Sequence, residues 1–174
     1  TTNIYTFKEK LRDVGNIIYN DGSIYTEKLV PMINDRLELC INNVKYDPKT
    51  SHTRNNTFFM VYDNITSKTL NMPQTDGTLY LRCDEGNPGA VYNKIEIASY
   101  GHTMIAKSDN TIENLCIMYA GGHGITAGTC KNLIIRNCEI GWIGGTSQYI
   151  NDGKNTRYGN GIQIYGGCDN YVID

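Results

Sequence analysis

Glu113 to Gly122 reads ENLCIMYAGG, and Arg136 to Gly145 reads RNCEIGWIGG. The two stretches are offset by 23 residues throughout: Asn114 falls on Asn137, Ile117 on Ile140, Tyr119 on Trp142, and Gly121-Gly122 on Gly144-Gly145. Working outward, HGITAGTCKNLII (123–135) matches NGIQIYGGCDNYVI (160–173), with one extra residue in the second copy. A weaker copy, KIEIASYGHTMIAKSDNTIEN (94–114), precedes both with a period near 20. Short alternating apolar runs, Gly/Asn turns and a period of 20 to 23 fit a coil of a parallel β-helix. A helix-pair repeat needs ~34 residues or more, and a leucine-rich repeat needs a Leu consensus that is absent here.

Period-2 alternation then fixes which side chains face inward. Ile112, Ile135 and Ile173 form one column, Ile117 and Ile140 a second, Ile125 and Ile162 a third. Asn114 over Asn137 reads as an asparagine ladder at a turn. Glu113, Arg136 and Asp174 make an outward column of alternating sign, read as a cross-rung ion-pair ladder.

The expected fold is therefore all-β. Residues 91–174 are read as the first coils of a right-handed parallel β-helix, and residues 1–90 as a non-repeating β-rich cap. Within the cap, TFKE (Thr6 to Glu9) is a capping-box pattern, and with Gly15 as C-cap it predicts one or two helical turns. FFMVYDNI (58–65) and TLYLRC (78–83) read as strands, and Asn20-Asp21-Gly22 as a turn. Asp174 falls in mid-coil, so the sequence reads as the N-terminal portion of a longer solenoid.

The chain has 174 residues and a net charge of −2. With no strong positive field it is not expected to bind nucleic acid by phosphate neutralisation. No apolar run reaches the ~18 residues of a membrane span. Eighteen Gly and 13 Tyr against four Pro favour strands joined by tight turns. The six cysteines form no Cys-x-x-Cys pair, which argues against zinc. Cys130 and Cys168 fall on equivalent turns of adjacent coils and read as stacked free thiols, although rung spacing also allows a bridge.

DGTLYLRCDEGNPG (76–89), YAGGHGI, NCEIGWIGG and RYGNGIQIYGGCDNYVID resemble the bacterial right-handed parallel β-helix repeat proteins of the pectate-lyase-like superfamily. The likeness covers residues 76–174 well. It implies a secreted or cell-surface protein acting on, or binding, a polysaccharide along the coil flank, either as a glycoside hydrolase or polysaccharide lyase or as a non-catalytic adhesive or tail-spike-like solenoid. A monomer is expected over a trimer. No cofactor is expected, except calcium were the protein a lyase. GHGI (122–125) is similar to the Gly-His-Gly motif of polygalacturonase-type hydrolases. Only Asp109-Asn110 precedes it and no Arg-x-Lys follows, so the carboxylate pair of inverting hydrolysis is missing.

Two features carry the candidate site. His123 opens a strand beside the Gly pair, where an imidazole could transfer protons; His102 has a lesser claim. The insertion 146–158 lengthens one turn, the usual way a solenoid gains binding surface. It supplies Asp152 and Arg157 as candidate catalytic groups, and Gln148, Tyr149, Lys154 and Tyr158 as substrate-binding ones. Gln163, aligned with outward-facing Thr126, completes the expected groove. Trp142 is expected to stack within the coil.

Overall fold

The structure is a computed structural model that describes residues 3–22, 24–30, 32–41, 43–47, 52–68, 76–99, 101–151 and 154–174, with the backbone alone at 21, 24, 25, 27 and 149–151. It is nearly all β. The N-terminal part contains β1 (Ile4–Thr6), β2 (Val14–Tyr19), β3 (Ile24–Lys28), β4 (Met32–Ile33), β5 (Leu39–Ile41), β6 (Val44–Lys45), β7 (Thr57–Tyr62) and β8 (Gly77–Arg82). A single-turn helix α1 (Pro88–Val91) follows, then β9 (Ile95–Ser99). Six of these strands form one sheet in the order β1-β8-β7-β3-β2-β9, and β4-β5-β6 form a small antiparallel sheet. Phe58, Phe59, Met60, Ile17, Tyr19 and Val14, none more than 1% exposed, are the centre of its core. Each such side chain stabilises the fold by about 1.5–3 kcal/mol relative to an exposed one.

Two expectations for this part meet different outcomes. FFMVY and TLYLR are strands, paired antiparallel with Phe59 opposite Tyr80. The predicted helix over 6–15 does not form. Leu11 is instead bridged to Gly77 by two backbone hydrogen bonds of 3.1 and 2.8 Å, and Val14 begins a strand buried along its whole length. A capping box contributes about 1 kcal/mol, far less than burial of Val14, Ile17 and Ile18 in the sheet. Gly15, read as a C-cap, lies inside β2, where a Cβ would fall 2.1 Å from the Gly144 carbonyl oxygen.

From Met104 the pairing changes character. Here lie β10 (Met104–Ala106), β11 (Thr111–Glu113), β12 (Cys116–Met118), β13 (Ile125–Gly128), β14 (Ile134–Arg136) and β15 (Glu139–Gly141). Beyond them come β16 (Thr146–Asn151), β17 (Lys154–Tyr158), β18 (Ile162–Tyr165) and β19 (Val172–Ile173). Three stacks, β10-β13-β18, β11-β14-β19 and β12-β15, pair in parallel, so the chain visits the stacks in the same cyclic order each time. Ile112 lies against Ile135 and Ile135 against Ile173; Ile117 lies against Ile140, and Ile125 against Ile162. Ile125, Leu133 and Ile135 are at most 2% exposed, and they form a second core with Ile112, Ile117 and Ala127. β9, the start of the weaker sequence copy, pairs antiparallel with β2 and belongs to the N-terminal sheet; a parallel bridge from Ser99 to Ala120 links it to the stacks.

The repeated polar residues mark the corners between stacks. Asn114 and Asn137, and likewise Asp109, Asn132 and Asn170, all have φ between 50° and 61°. Asn and Asp enter this left-handed region at low cost because their short side chains bond locally. The side-chain ladder forms at the second corner: Asn132 Nδ2 donates to Asp109 Oδ1 at 2.8 Å, and Asn170 Nδ2 to Asn132 Oδ1 at 3.4 Å. Asn114 and Asn137 stack through the backbone, Asn114 N–H donating to the Arg136 carbonyl. In the outward column Arg136 Nε donates to Glu113 Oε2 at 2.6 Å. Trp142, expected to stack within the coil, is 37% exposed and lies over Gly22 at the β2–β3 turn.

The insertion 146–158 is an antiparallel hairpin, β16 against β17, that packs on β2 and β4. Its base is a junction of glycine backbones. A Cβ on Gly145 (φ 100°) would fall 2.4 Å from the Gly15 carbonyl oxygen, and one on Gly159 (φ 121°) 2.3 Å from that of Gly122. A buried polar cluster ties the hairpin to the N-terminal sheet. Asp13 and Lys28, both fully buried at their side chains, form an ion pair. Tyr62 donates its hydroxyl to Asp13 Oδ1 at 2.5 Å, and the Ser147 N–H donates to Asp13 Oδ2. Burial pushes the Lys28 ammonium below its ordinary range, opposed by Asp13. Among the described residues, no helix is long and apolar enough to cross a membrane.

Candidate functional site

The corner that enters the β10-β13-β18 stack carries His102, His123 and Asn160 on successive rungs. Their backbones continue the parallel ladder: Met104 N–H donates to the Gly124 carbonyl at 3.0 Å, and Ile125 N–H to that of Gly161 at 2.9 Å. The side chains build a second ladder beside it. His123 N–H donates to His102 Nδ1 at 2.9 Å, and Asn160 N–H donates to His123 Nδ1 at 2.9 Å. The two imidazoles stack with centroids 4.8 Å apart and planes 11° apart, the spacing of the strands themselves. Tyr158, the last residue of the hairpin, meets the His123 ring edge-on at 4.6 Å.

This geometry fixes the chemistry of His123. Its Nδ1 lone pair is occupied by a backbone donor, so a neutral ring carries its proton on Nε2. Burial, and next the neighbouring imidazole, hold His123 below the ordinary value of 6.5; burial alone does the same for His102. His123 is thus a neutral donor at pH 7, with no free lone pair to act as a general base or to ligate a metal. It is 1% exposed, and its Nε2 has no hydrogen-bond partner among the described residues. The side-chain oxygen of Gln163, one rung on, is likewise buried and unpartnered.

Both residues line a cavity of about 250 Å³ on the flank of the stack. Thr126 and Gln163, opposite one another in register, line it together with His102, Ile105, His123, Tyr158 and Tyr165. Its lining is uncharged and mixes aromatic faces with hydroxyl, amide and imidazole groups, a surface suited to a neutral polyol ring. A larger cavity of about 300 Å³ lies against the N-terminal sheet, but Tyr5, Phe7, Ile17, Leu79, Leu81 and Ile97 make it largely apolar.

Of the residues expected at the groove, His123, Tyr158 and Gln163 come together here. Arg157 and Lys154 go elsewhere. Arg157 donates to Asn16 Oδ1 at 2.7 Å, and Asn16 in turn donates to the Gly144 carbonyl at 2.7 Å, so this guanidinium braces the hairpin against β2. Lys154 is exposed and borders a different cavity beside β4 and β5, with Asn34, Asp35 and Lys68. Gln148 is half-buried in β16, opposite Thr156. Tyr149 pairs with Asn155 through its backbone. Asp152 lies outside the described residues. Sequence reasoning passed over Tyr165 and gave His102 little weight, although the weaker copy places His102 one rung before His123. No group of three or more His, Cys, Asp or Glu among the described residues is arranged to hold a metal. No family profile, curated protein or solved structure matches the chain.

Proposed function

We propose that residues 91–174 are coils of a right-handed parallel β-helix of the pectate-lyase-like kind, capped by residues 1–90. The protein is secreted or displayed at a cell surface, and its β10-β13-β18 flank binds a neutral glycan as a monomer. The parallel three-stack register supports the fold. The uncharged, aromatic-walled cavity at His123 and Gln163 carries the function.

Cleavage and binding both suit such a flank, and the arrangement favours binding. Of the candidate catalytic groups, His123 lines the cavity with its Nδ1 occupied by the Asn160 N–H, whereas Arg157 braces the hairpin against Asn16. Tyr158 and Tyr165 supply faces for a sugar ring, while Thr126 and Gln163 supply a hydroxyl and an amide. The deciding experiment is a glycan array run beside assays for reducing ends and unsaturated uronides. Retention of neutral glycans without product, weakened at least about tenfold by Tyr165→Ala or Gln163→Ala, is the expected result. Release of either product, or undiminished binding by both variants, overturns the reading.

A further inference from the structure

We propose that Cys130 and Cys168 are a redox pair that closes to a disulfide on exposure to a small-molecule disulfide, fastening two adjacent rungs. The two residues occupy the same corner of successive rungs, just beyond β13 and β18. Both are free thiols, and their Sγ atoms are 2.8 Å apart, with Cys130 donating to Cys168. The backbone holds them there. Thr129 N–H donates to the Tyr165 carbonyl at 3.1 Å, and Asp169 N–H to the Cys130 carbonyl at 3.0 Å. Cys130 N–H also donates to the Cys168 sulfur at 3.3 Å. Strands spaced about 4.8 Å apart place Cα atoms inside the roughly 4.4–6.8 Å span of disulfides. Reaching the bonded S–S length of about 2.04 Å needs an approach of under about 1 Å.

The chemistry balances with a disulfide RSSR as oxidant. Cys168, half-buried where Cys130 is 2% exposed, is the thiol that meets it. Its thiolate attacks one sulfur of RSSR, forming the mixed disulfide and releasing RS⁻. Cys130, deprotonated in turn, attacks the Cys168 sulfur and expels the second RS⁻. Two thiols are oxidised by two electrons, RSSR is reduced to two RSH, and both thiol protons pass to the leaving groups. The contact with Cys168 pushes the Cys130 thiol up.

The bridge would pin the far end of the two strands that carry Thr126 and Gln163. Among the described residues β18 pairs with β13 over Ile162–Tyr165, so the bridge would reinforce an existing pairing.

The test is equilibration of the purified protein with oxidised glutathione, followed by denaturing alkylation and peptide mapping. The expected result is loss of two thiols, a mass decrease of about 2 Da and a cross-linked peptide pair joining Cys130 to Cys168. Amides of 162–165 should exchange at least about tenfold more slowly after oxidation. Cys130→Ser and Cys168→Ser should each abolish both changes. Stable glutathione adducts on both cysteines, a link through another cysteine, or no change in thiol count overturns the proposal. The mapping is done on the unaltered chain, so misfolding of a variant cannot obscure it.

Discussion

Replacing Asp13 by Asn probes the joint between the two halves of the molecule. Asp13 accepts from Lys28, Tyr62 and the Ser147 N–H, and neither charged side chain of the pair reaches solvent. Asn keeps the shape and one carbonyl oxygen but removes the charge, leaving the Lys28 ammonium buried without its counter-ion. Breaking a buried pair on one side costs about 3–5 kcal/mol. For a chain of this size about 1 kcal/mol moves Tm by roughly 2–4 °C, so a drop of about 6–20 °C is expected. Lys28→Met should cost a comparable amount, since it strands the carboxylate. The double variant should lose clearly less than the two singles together, because the surviving partner of each single variant is gone. Urea unfolding of all four proteins at constant m-value gives the coupling energy. Limited proteolysis adds a local readout: with the charged anchor on Ser147 N–H lost, cleavage within 146–158 should accelerate before global unfolding. Strict additivity of the singles, or a loss under about 1 kcal/mol for Asp13→Asn, would refute the assignment of a buried ion pair.

Three further outcomes follow from the same structure. Ile135→Ala, at 2% exposure in the middle of its column, should cost about 2–5 kcal/mol by chemical denaturation; Ile173→Ala in the same column, at 52% exposure, should cost under about 1 kcal/mol. Equal losses would contradict the stacking. Gly145→Ala combines a φ of 100° with a Cβ 2.4 Å from the Gly15 oxygen, and should cost about 2–4 kcal/mol while releasing the hairpin to protease; an unchanged Tm would show that the junction yields. His102 and His123 both lie below their ordinary value of 6.5 in the folded state, so between those depressed values and 6.5 the unfolded chain binds more protons. Stability is therefore unaffected by them above pH 6.5 and falls as pH drops below it. Tm measured from pH 8 to pH 4.5 should show this loss, reduced in a His123→Gln variant; a Tm flat across that interval would refute it.

The parallel stacks were legible because each rung repeats the same local problem. Isoleucines recur where a side chain meets its own copy one strand away, and Asn or Asp recurs where the chain must turn through a left-handed conformation. A single sequence therefore contains the comparison that reveals the register. The N-terminal sheet offers no such internal copy. TFKE is a sound local signal, yet the fate of residues 6–15 is decided by Gly77 and by the buried face of β2, neither of which is nearby in sequence. Asp13 illustrates the limit most clearly. Its partner Ser147 is 134 residues away, and nothing in LRDVGNII marks its aspartate as buried rather than solvated. The site was legible to the same degree: His123 and Gln163 follow from the repeat, as His102 does in the weaker copy, whereas Arg157 belongs to a contact with Asn16 that no periodicity announces.

The way the hairpin is rooted has a consequence for how this molecule can vary. Its two roots are held by backbone-to-backbone contacts among Gly15, Gly144, Gly145 and Gly159, and by the Asp13 carboxylate on Ser147. These contacts lie at the base of the excursion. Lengthening a surface segment costs only about 0.6 kcal/mol per doubling. The excursion can therefore be extended while the junction beneath it stays constant, which makes it a natural graft point where related or engineered chains can gain new surface without relearning how to fold.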